Sequence, residues 1–168
     1  MKRIRKILVP IDFSAGSAAA WEAARSLANT MHGYVAIELL HVWEGDEQKL
    51  PDLTLRADKS GSSARLLSEA RAHGLSLEHV AEFMTTLERE GVELVARMRR
   101  GDVVATILRT AVEGDFDLIV IGMQGRGRIA TTLLGSTAER VVRHSPIPVL
   151  TAPAVVRHTV EKEERSGT

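Results

Sequence analysis

The sequence predicts an α/β fold, a single doubly wound parallel sheet with helices on both faces. Short apolar stretches rich in Val, Ile and Leu alternate along the chain with stretches whose apolar residues recur every three or four positions. These are the patterns of buried strands and of helices. The clearest strand, residues 117–122 (DLIVIG), is almost continuously apolar, as expected for a parallel strand covered on both sides. Because crossovers between parallel strands are right-handed, the alternation places helices on both faces of the sheet.

The first part of the chain predicts a strand, a helix and a second strand. Residues 4–11 form a short, branched, apolar strand, which ends at Asp12 and Ser14 where a helix N-cap is expected. Apolar residues at helical spacing follow, and Gly33 closes the predicted helix. Residues 34–42 (YVAIELLHV) then predict the second strand.

The middle of the chain is less regular. Residues 43–61 combine Gly, Pro and scattered charges, and they predict a surface insertion. Two helices are expected at 62–73 and 76–90, followed by a weaker strand at 93–98. A further helix faces the core through apolar residues at helical spacing, namely Val103, Ile107, Leu108 and Ala111.

The last elements complete one domain over residues 1–153. A short helix is predicted at 136–143, and prolines then lead into an edge strand at 149–152. Residues 154–168 predict a flexible charged tail. The elements therefore comprise five strands of one parallel sheet, whose ligands are expected beyond the carboxyl ends of the strands.

Composition narrows the function classes. The 22 Lys and Arg balance 22 Asp and Glu, which leaves no net field to attract nucleic acid. The absence of cysteine excludes disulfides and thiolate catalysis, and it favours a cytoplasmic protein. Pro10 and Asp12 interrupt the apolar stretch near the start, which is too short for a secretion signal. No stretch approaches the roughly 18 apolar residues of a membrane span, so no membrane partner is expected.

The stretch GMQGRGRIATTLLGSTAER, residues 122–140, carries the strongest functional pattern. Gly122 follows a buried strand, where a missing Cβ permits positive φ and the close approach of a ligand to backbone N–H groups. Gly135 and Ser136 predict a helix start, which favours an anion. Strand-to-helix connections usually span about 2–6 residues, and this longer one predicts a phosphate-binding loop rather than a plain connection. The arginines at 126 and 128 either close over the anion or point into water.

Four motifs together resemble the universal stress protein family. The spacing Gly122-x2-Gly125-x9-Gly135-Ser136 is similar to its nucleotide-binding signature. The stretches VPIDFS, LLHV and SPIPVL look like its other landmarks, so the resemblance covers about residues 4–152. It implies a Rossmann-like sheet of strand order 3-2-1-4-5, similar to that of adenine nucleotide alpha hydrolases. It also implies ATP bound between the ends of strands one and four and a homodimer formed through strand five.

Carried onto this chain, the resemblance implies a set of ATP contacts. Asp12 would lie near the adenosine, the backbone around it would wall the base and ribose, and the glycine loop would meet the ribose and phosphates. The implied ATP-binding residues are Pro10, Ile11, Asp12, Val42, Gly122, Gly125, Arg126, Gly127, Gly135, Ser136 and Thr137. Met123 departs from many ATP-binding relatives, which have a small hydroxyl residue there. Any Mg²⁺ is expected with the phosphates, not in a dedicated metal cage.

Other polar residues have simpler interpretations. The Asp12 carboxylate at a strand end can accept from a ribose hydroxyl, but capping the first helix together with Ser14 is an equal alternative. His41 is expected to be packed and hydrogen-bonded, not catalytic. His73 and His79 are six positions apart, which is not a metal-ligand spacing.

The leading functional hypothesis is an ATP-binding regulatory module of the stress response, in which the nucleotide shifts a conformational population. A slow ATPase and a nucleotide-free scaffold are the alternatives. Ser136 has no neighbouring His or Asp to act as a base, and Asp12-Phe13-Ser14 stands where related adenylate-forming enzymes carry an SGGxDS-type loop. A receiver domain needs an acidic pair at the first strand end, where this chain has Asp12 alone.

Overall fold

The computed structural model describes residues 3–31, 33–44, 53–57, 94–124 and 134–154. Within them the strands are β1 (Lys6–Ile11), β2 (Ala36–Trp43), β3 (Leu53–Ala57), β4 (Leu94–Arg100), β5 (Leu118–Gly122) and β6 (Val149–Ala152). The helices are α1 (Ala15–Thr30), α2 (Val103–Glu113) and α3 (Ser136–His144). The expected helices at 62–73 and 76–90 and nearly all of the expected tail at 154–168 lie outside the described residues.

The predicted parallel sheet is confirmed. Strands β4, β2, β1, β5 and β6 lie side by side in that order and pair in parallel, which is the order 3-2-1-4-5. Strand β3 adds an antiparallel partner on the outer edge of β4. It lies inside 43–61, where the sequence indicated only a surface insertion. Pairing along β4 satisfies backbone groups that an open sheet edge would expose.

Helix α1 packs on one face of the sheet. Ser14 is its N-cap and accepts a hydrogen bond from the Ser17 N–H at 3.2 Å, so the helix begins directly after the first strand. Ala20, Trp21 and Ala24 form its buried stripe. Small alanines bring the helix close to the sheet, where it covers Ile7, Val9, Ile37, Leu39, Leu118 and Val120.

Helices α2 and α3 pack on the opposite face. Alternate residues of the same strands point this way, including Leu8, Leu40, Ile119 and Ile121. They contact Val104, Ile107 and Ala111 of α2 and Ala138 and Val141 of α3. This second core leaves the amino-terminal ends of α2 and α3 at the carboxyl edge of the sheet. None of the described helices is both long and apolar enough to cross a membrane.

Candidate functional site

The candidate site begins where two central strands separate. The register of β1 with β2 extends as far as Ile11 opposite His41, whereas its register with β5 extends only over Ile7 and Leu8. Pro10 has no N–H to donate to a neighbouring strand, and the ladder between β1 and β5 ends before it. The carboxyl ends of β1 and β5 therefore leave a gap, which is where doubly wound sheets bind their ligands.

A cavity of about 490 Å³ occupies this edge of the sheet, within the range of about 300–1,000 Å³ that is usual for small-molecule sites. The ends of β1, β2 and β5 and the starts of α2 and α3 contribute its lining. The lining residues that were singled out from the sequence are Pro10, Ile11, Asp12, Val42, Gly122, Gly135, Ser136 and Thr137. Gly125, Arg126 and Gly127 lie outside the described residues.

The turn between β1 and α1 is held by Asp12. Its Oδ1 accepts hydrogen bonds from the Ser14 N–H at 3.0 Å and the Ser17 hydroxyl at 2.6 Å. The Asp12 N–H in turn donates to the Ser17 Oγ at 2.8 Å. Asp12 thus organises the helix start, as one interpretation expected, and at the same time lines the cavity. Ser17, 4% exposed and also in the lining, was not predicted.

His41 has the packed, hydrogen-bonded role expected from the sequence. Its Nδ1 lies 2.9 Å from the Ile11 carbonyl oxygen, so Nδ1 carries the proton in this contact because a carbonyl only accepts. The Phe13 ring lies 4.8 Å from the imidazole ring, centroid to centroid. Phe13 itself has a φ of 62°, which turns the chain from β1 into α1. The hydrogen bond and the ring contact therefore link the ends of β1 and β2.

Position 122 requires glycine because two backbone segments approach each other closely there. A Cβ on Gly122 would overlap the backbone of Gly16 in the first turn of α1, and a Cβ on Gly16 would overlap the Gln124 carbonyl oxygen. The described glycines with positive φ are Gly33 and Gly101, so Gly122 does not use the positive φ that its missing Cβ permits. The missing side chain of Gly122 admits the start of α1 instead.

Helix α3 begins at the cavity without a side-chain cap. Its N-cap is Gly135, whereas Ser14 caps α1 and Asp102 caps α2 with side-chain oxygens. The Gly135 N–H donates to the Met123 carbonyl at 2.6 Å, and the Met123 N–H donates to the Ala152 carbonyl at 2.8 Å. These bonds fix the helix start against the ends of β5 and β6. The uncapped N–H groups and the helix dipole favour an anion in the cavity.

A second part of the lining is apolar. Its members come mainly from β2 and α2 and are Leu40, Val42, Val103 and Ile107, with Ile121 and Leu134 beside them. The sequence assigned Val103 and Ile107 only to the core side of a helix. Their position in the chain could have indicated that they belong to the site, because a helix that follows a parallel strand begins at the carboxyl edge of the sheet.

The charged side chains among the described lining residues are both acidic. Asp12 is one, and the other is Glu139, which lies in the first turn of α3 and was not predicted. Met123 and Gln124 also line the cavity. The described part of the chain has no group of three His, Asp or Glu residues arranged to hold a metal ion.

Comparison with known proteins agrees with this architecture. The model of the universal stress protein family matches residues 3–153, which is most of the chain. The chain belongs to the universal stress protein family. A universal stress protein of Methanocaldococcus jannaschii is 29% identical over 146 residues, which cover 87% of this chain and 80% of that protein. The family resemblance inferred from the four motifs is therefore confirmed.

Solved structures of other universal stress proteins have the same fold. Universal stress protein UspA from Lactobacillus plantarum has a TM-score of 0.62 at 26% identity, covering 90% of this chain and 99% of that one. A family member from Arabidopsis thaliana, solved with AMP bound, has a TM-score of 0.57 at 21% identity, covering 94% and 97% of the two chains. The three-layer arrangement of the sheet and its helices is thus common to these universal stress proteins.

Proposed function

We propose that this universal stress protein binds an adenine nucleotide in the cavity at the carboxyl edge of its sheet and acts as a nucleotide-responsive regulatory module in stress response. One observation carries the proposal. A single cavity combines a helix start without a side-chain cap and an apolar wall from β2 and α2. A nucleotide has the matching two ends, since the faces of its base are flat and apolar and its phosphates are anionic. The Arabidopsis thaliana relative solved with AMP supports this choice of ligand class.

In the proposal, each part of the nucleotide contacts a different part of the cavity lining. The base packs against Leu40, Val42 and Val103, and the phosphates lie at the first N–H groups of α3. Asp12 faces the ribose in the proposal, because it lines the cavity and a carboxylate accepts hydrogen bonds from hydroxyl groups. ATP is the ligand implied by the family signature, and any Mg²⁺ is proposed to arrive with its phosphates. Gly125, Arg126 and Gly127 are proposed to complete the phosphate end.

A short series of hydrogen bonds connects the proposed phosphate site at the start of α3 to the edge of the sheet, and through it nucleotide binding has a regulatory effect. An anion at the α3 start lies next to Gly135, whose N–H donates to the Met123 carbonyl. The Met123 N–H donates to Ala152 at the end of β6, an edge strand of the described sheet. A ligand that prefers one position of α3 therefore biases the position of the β6 edge, which is how a nucleotide shifts a conformational population.

Direct detection of the ligand tests the proposal. The purified protein is denatured and its supernatant assayed for adenine nucleotide, and AMP and ATP are then titrated into ligand-free protein. Saturable binding of either nucleotide is the expected result. Folded protein that binds neither would contradict the proposal and favour the scaffold alternative. Multiple-turnover phosphate release above a no-protein control would instead favour the slow ATPase.

Filling the apolar wall should abolish binding. In Val103→Trp an indole replaces a small side chain that lines the cavity at the start of α2, and we expect no measurable AMP binding by calorimetry. The matched control is Val112→Trp on the same helix, because Val112 is 57% exposed and does not line the cavity. The control should bind AMP like the unmodified protein. Equal affinities in the two variants would place the base elsewhere.

The proposed module is a homodimer formed through β6. This strand is an edge of the described sheet, so no other described strand pairs with its outer backbone groups, and a second chain pairs with them in the proposal. Leu150 on β6 is 40% exposed, an apolar contact for that chain. We expect Leu150→Asp to convert a dimer into a monomer in light scattering, while Val112→Asp on the exposed side of α2 does not. A monomeric unmodified protein at micromolar concentration would refute the dimer.

A further inference from the structure

Glu139 lies where it must influence an anion in the cavity. It is in the first turn of α3, and it lines the same cavity as Ser136 and Thr137 at the helix start. A carboxylate near a helix N-terminus interacts favourably with the helix dipole, so it competes with a ligand for the same partial charge. This charge is equivalent to about half an elementary charge, which is less than the charge of a single phosphate group.

The negative charge of Glu139 is only partly neutralised. Its Oε1 accepts a hydrogen bond from Arg143 Nη2 at 2.7 Å, but the two side chains are 53% and 67% exposed. Exposed ion pairs one helical turn apart are weak and screened by salt. Arg143 does not line the cavity, and the charged side chains among the described lining residues are Glu139 and Asp12. Each added phosphate group therefore brings more negative charge toward a carboxylate.

We infer that Glu139 is a specificity-determining residue, which lowers the affinity of the cavity for adenine nucleotides with three phosphates relative to those with one unless a divalent cation neutralises the phosphates. The inference rests on the proposed nucleotide site. Glu139 acts through its charge, since its exposed side chain has no part in the core. Arg143 sets the strength of that charge through its hydrogen bond to the Glu139 carboxylate.

Calorimetric titration of adenosine, AMP and ATP into the nucleotide-free full chain, in EDTA at fixed ionic strength, tests the inference. The ratio of AMP affinity to ATP affinity in the unmodified protein is the reference value. Glu139→Gln should lower this ratio about fivefold, mainly through tighter ATP binding. Arg143→Gln leaves the carboxylate unpaired, so the ratio should rise.

Glu22→Gln is the matched control, since Glu22 forms a similar local ion pair with Arg25 at 2.7 Å on α1 and does not line the cavity. It should leave the AMP-to-ATP ratio unchanged, and thermal unfolding should show all three variants folded. Equal ratios in Glu139→Gln and Glu22→Gln would overturn the role of Glu139 while leaving the nucleotide site intact. Failure of adenosine, AMP and ATP alike to bind would overturn both proposals.

Discussion

Replacing Gly16 with alanine is expected to lower the free energy of unfolding by about 2 kcal/mol, the usual cost of overpacking a tight contact. Intrinsic helix propensity alone would predict the opposite sign, because alanine is better than glycine by up to about 1 kcal/mol inside a helix. The contact decides the sign here. A Cβ at Gly16 meets the Gln124 carbonyl oxygen, which belongs to backbone and cannot rotate away as a side chain would. Urea unfolding measures the change.

Further variants at and near the contact between Gly16 and Gly122 test this explanation. Gly122→Ala should also destabilise the protein, because its Cβ overlaps the Gly16 backbone. The sum of the two losses in the free energy of unfolding should exceed the loss in the double variant, because both substitutions disturb the same contact between α1 and β5. Ala18→Leu places a larger side chain at an exposed position of the same helix, and it should change stability by less than about 0.5 kcal/mol. A Gly16→Ala variant as stable as the unmodified protein would show that α1 moves away from β5 without cost.

The parallel core was predictable because its signals are local. Continuous apolar strands such as 117–122 need cover on both faces, and the alanine-rich helix after β1 supplies cover on one of them. Strand β3 escaped prediction because it has five residues and lies in a segment rich in charge, Gly and Pro. Its pairing with β4 is a long-range contact, which no local pattern encodes.

The parts of the candidate site that are formed by strand ends and by a helix start were predictable from the sequence. Topology brings Pro10, Val42 and Gly135 to one edge of the sheet, and the motifs contain all three. The role of Ser17 depends on the left-handed turn at Phe13, which brings the first turn of α1 back to Asp12. This turn could not be predicted from the sequence, because the presence of Phe does not indicate positive φ. It depends on tertiary geometry.

Replacing Gly135 with aspartate is expected to affect binding and stability in opposite directions. Gly135 is the N-cap of α3 with φ −65° and ψ 154°, a conformation that any residue adopts. An aspartate there accepts hydrogen bonds from the N–H groups of the first turn, which should raise stability by a few tenths of a kcal/mol, roughly the advantage of Asp over Gly as a cap. The same carboxylate occupies the donors proposed for the phosphates. AMP affinity in calorimetry should fall by at least about a hundredfold, the loss of one or two charge-assisted hydrogen bonds.

Two further variants at Gly135 separate the causes of that loss. Gly135→Ala adds a side chain that cannot cap, and AMP affinity should stay within about threefold because the N–H groups of α3 remain available. Gly135→Asn accepts the same hydrogen bonds without a charge, so its affinity should lie between those of the alanine and aspartate variants. If Gly135→Asp binds AMP as tightly as Gly135→Ala while its thermal midpoint rises, the cap has formed without displacing the ligand. The phosphates would then lie away from α3, because a helix start cannot offer the same N–H groups to an internal carboxylate and to a bound anion.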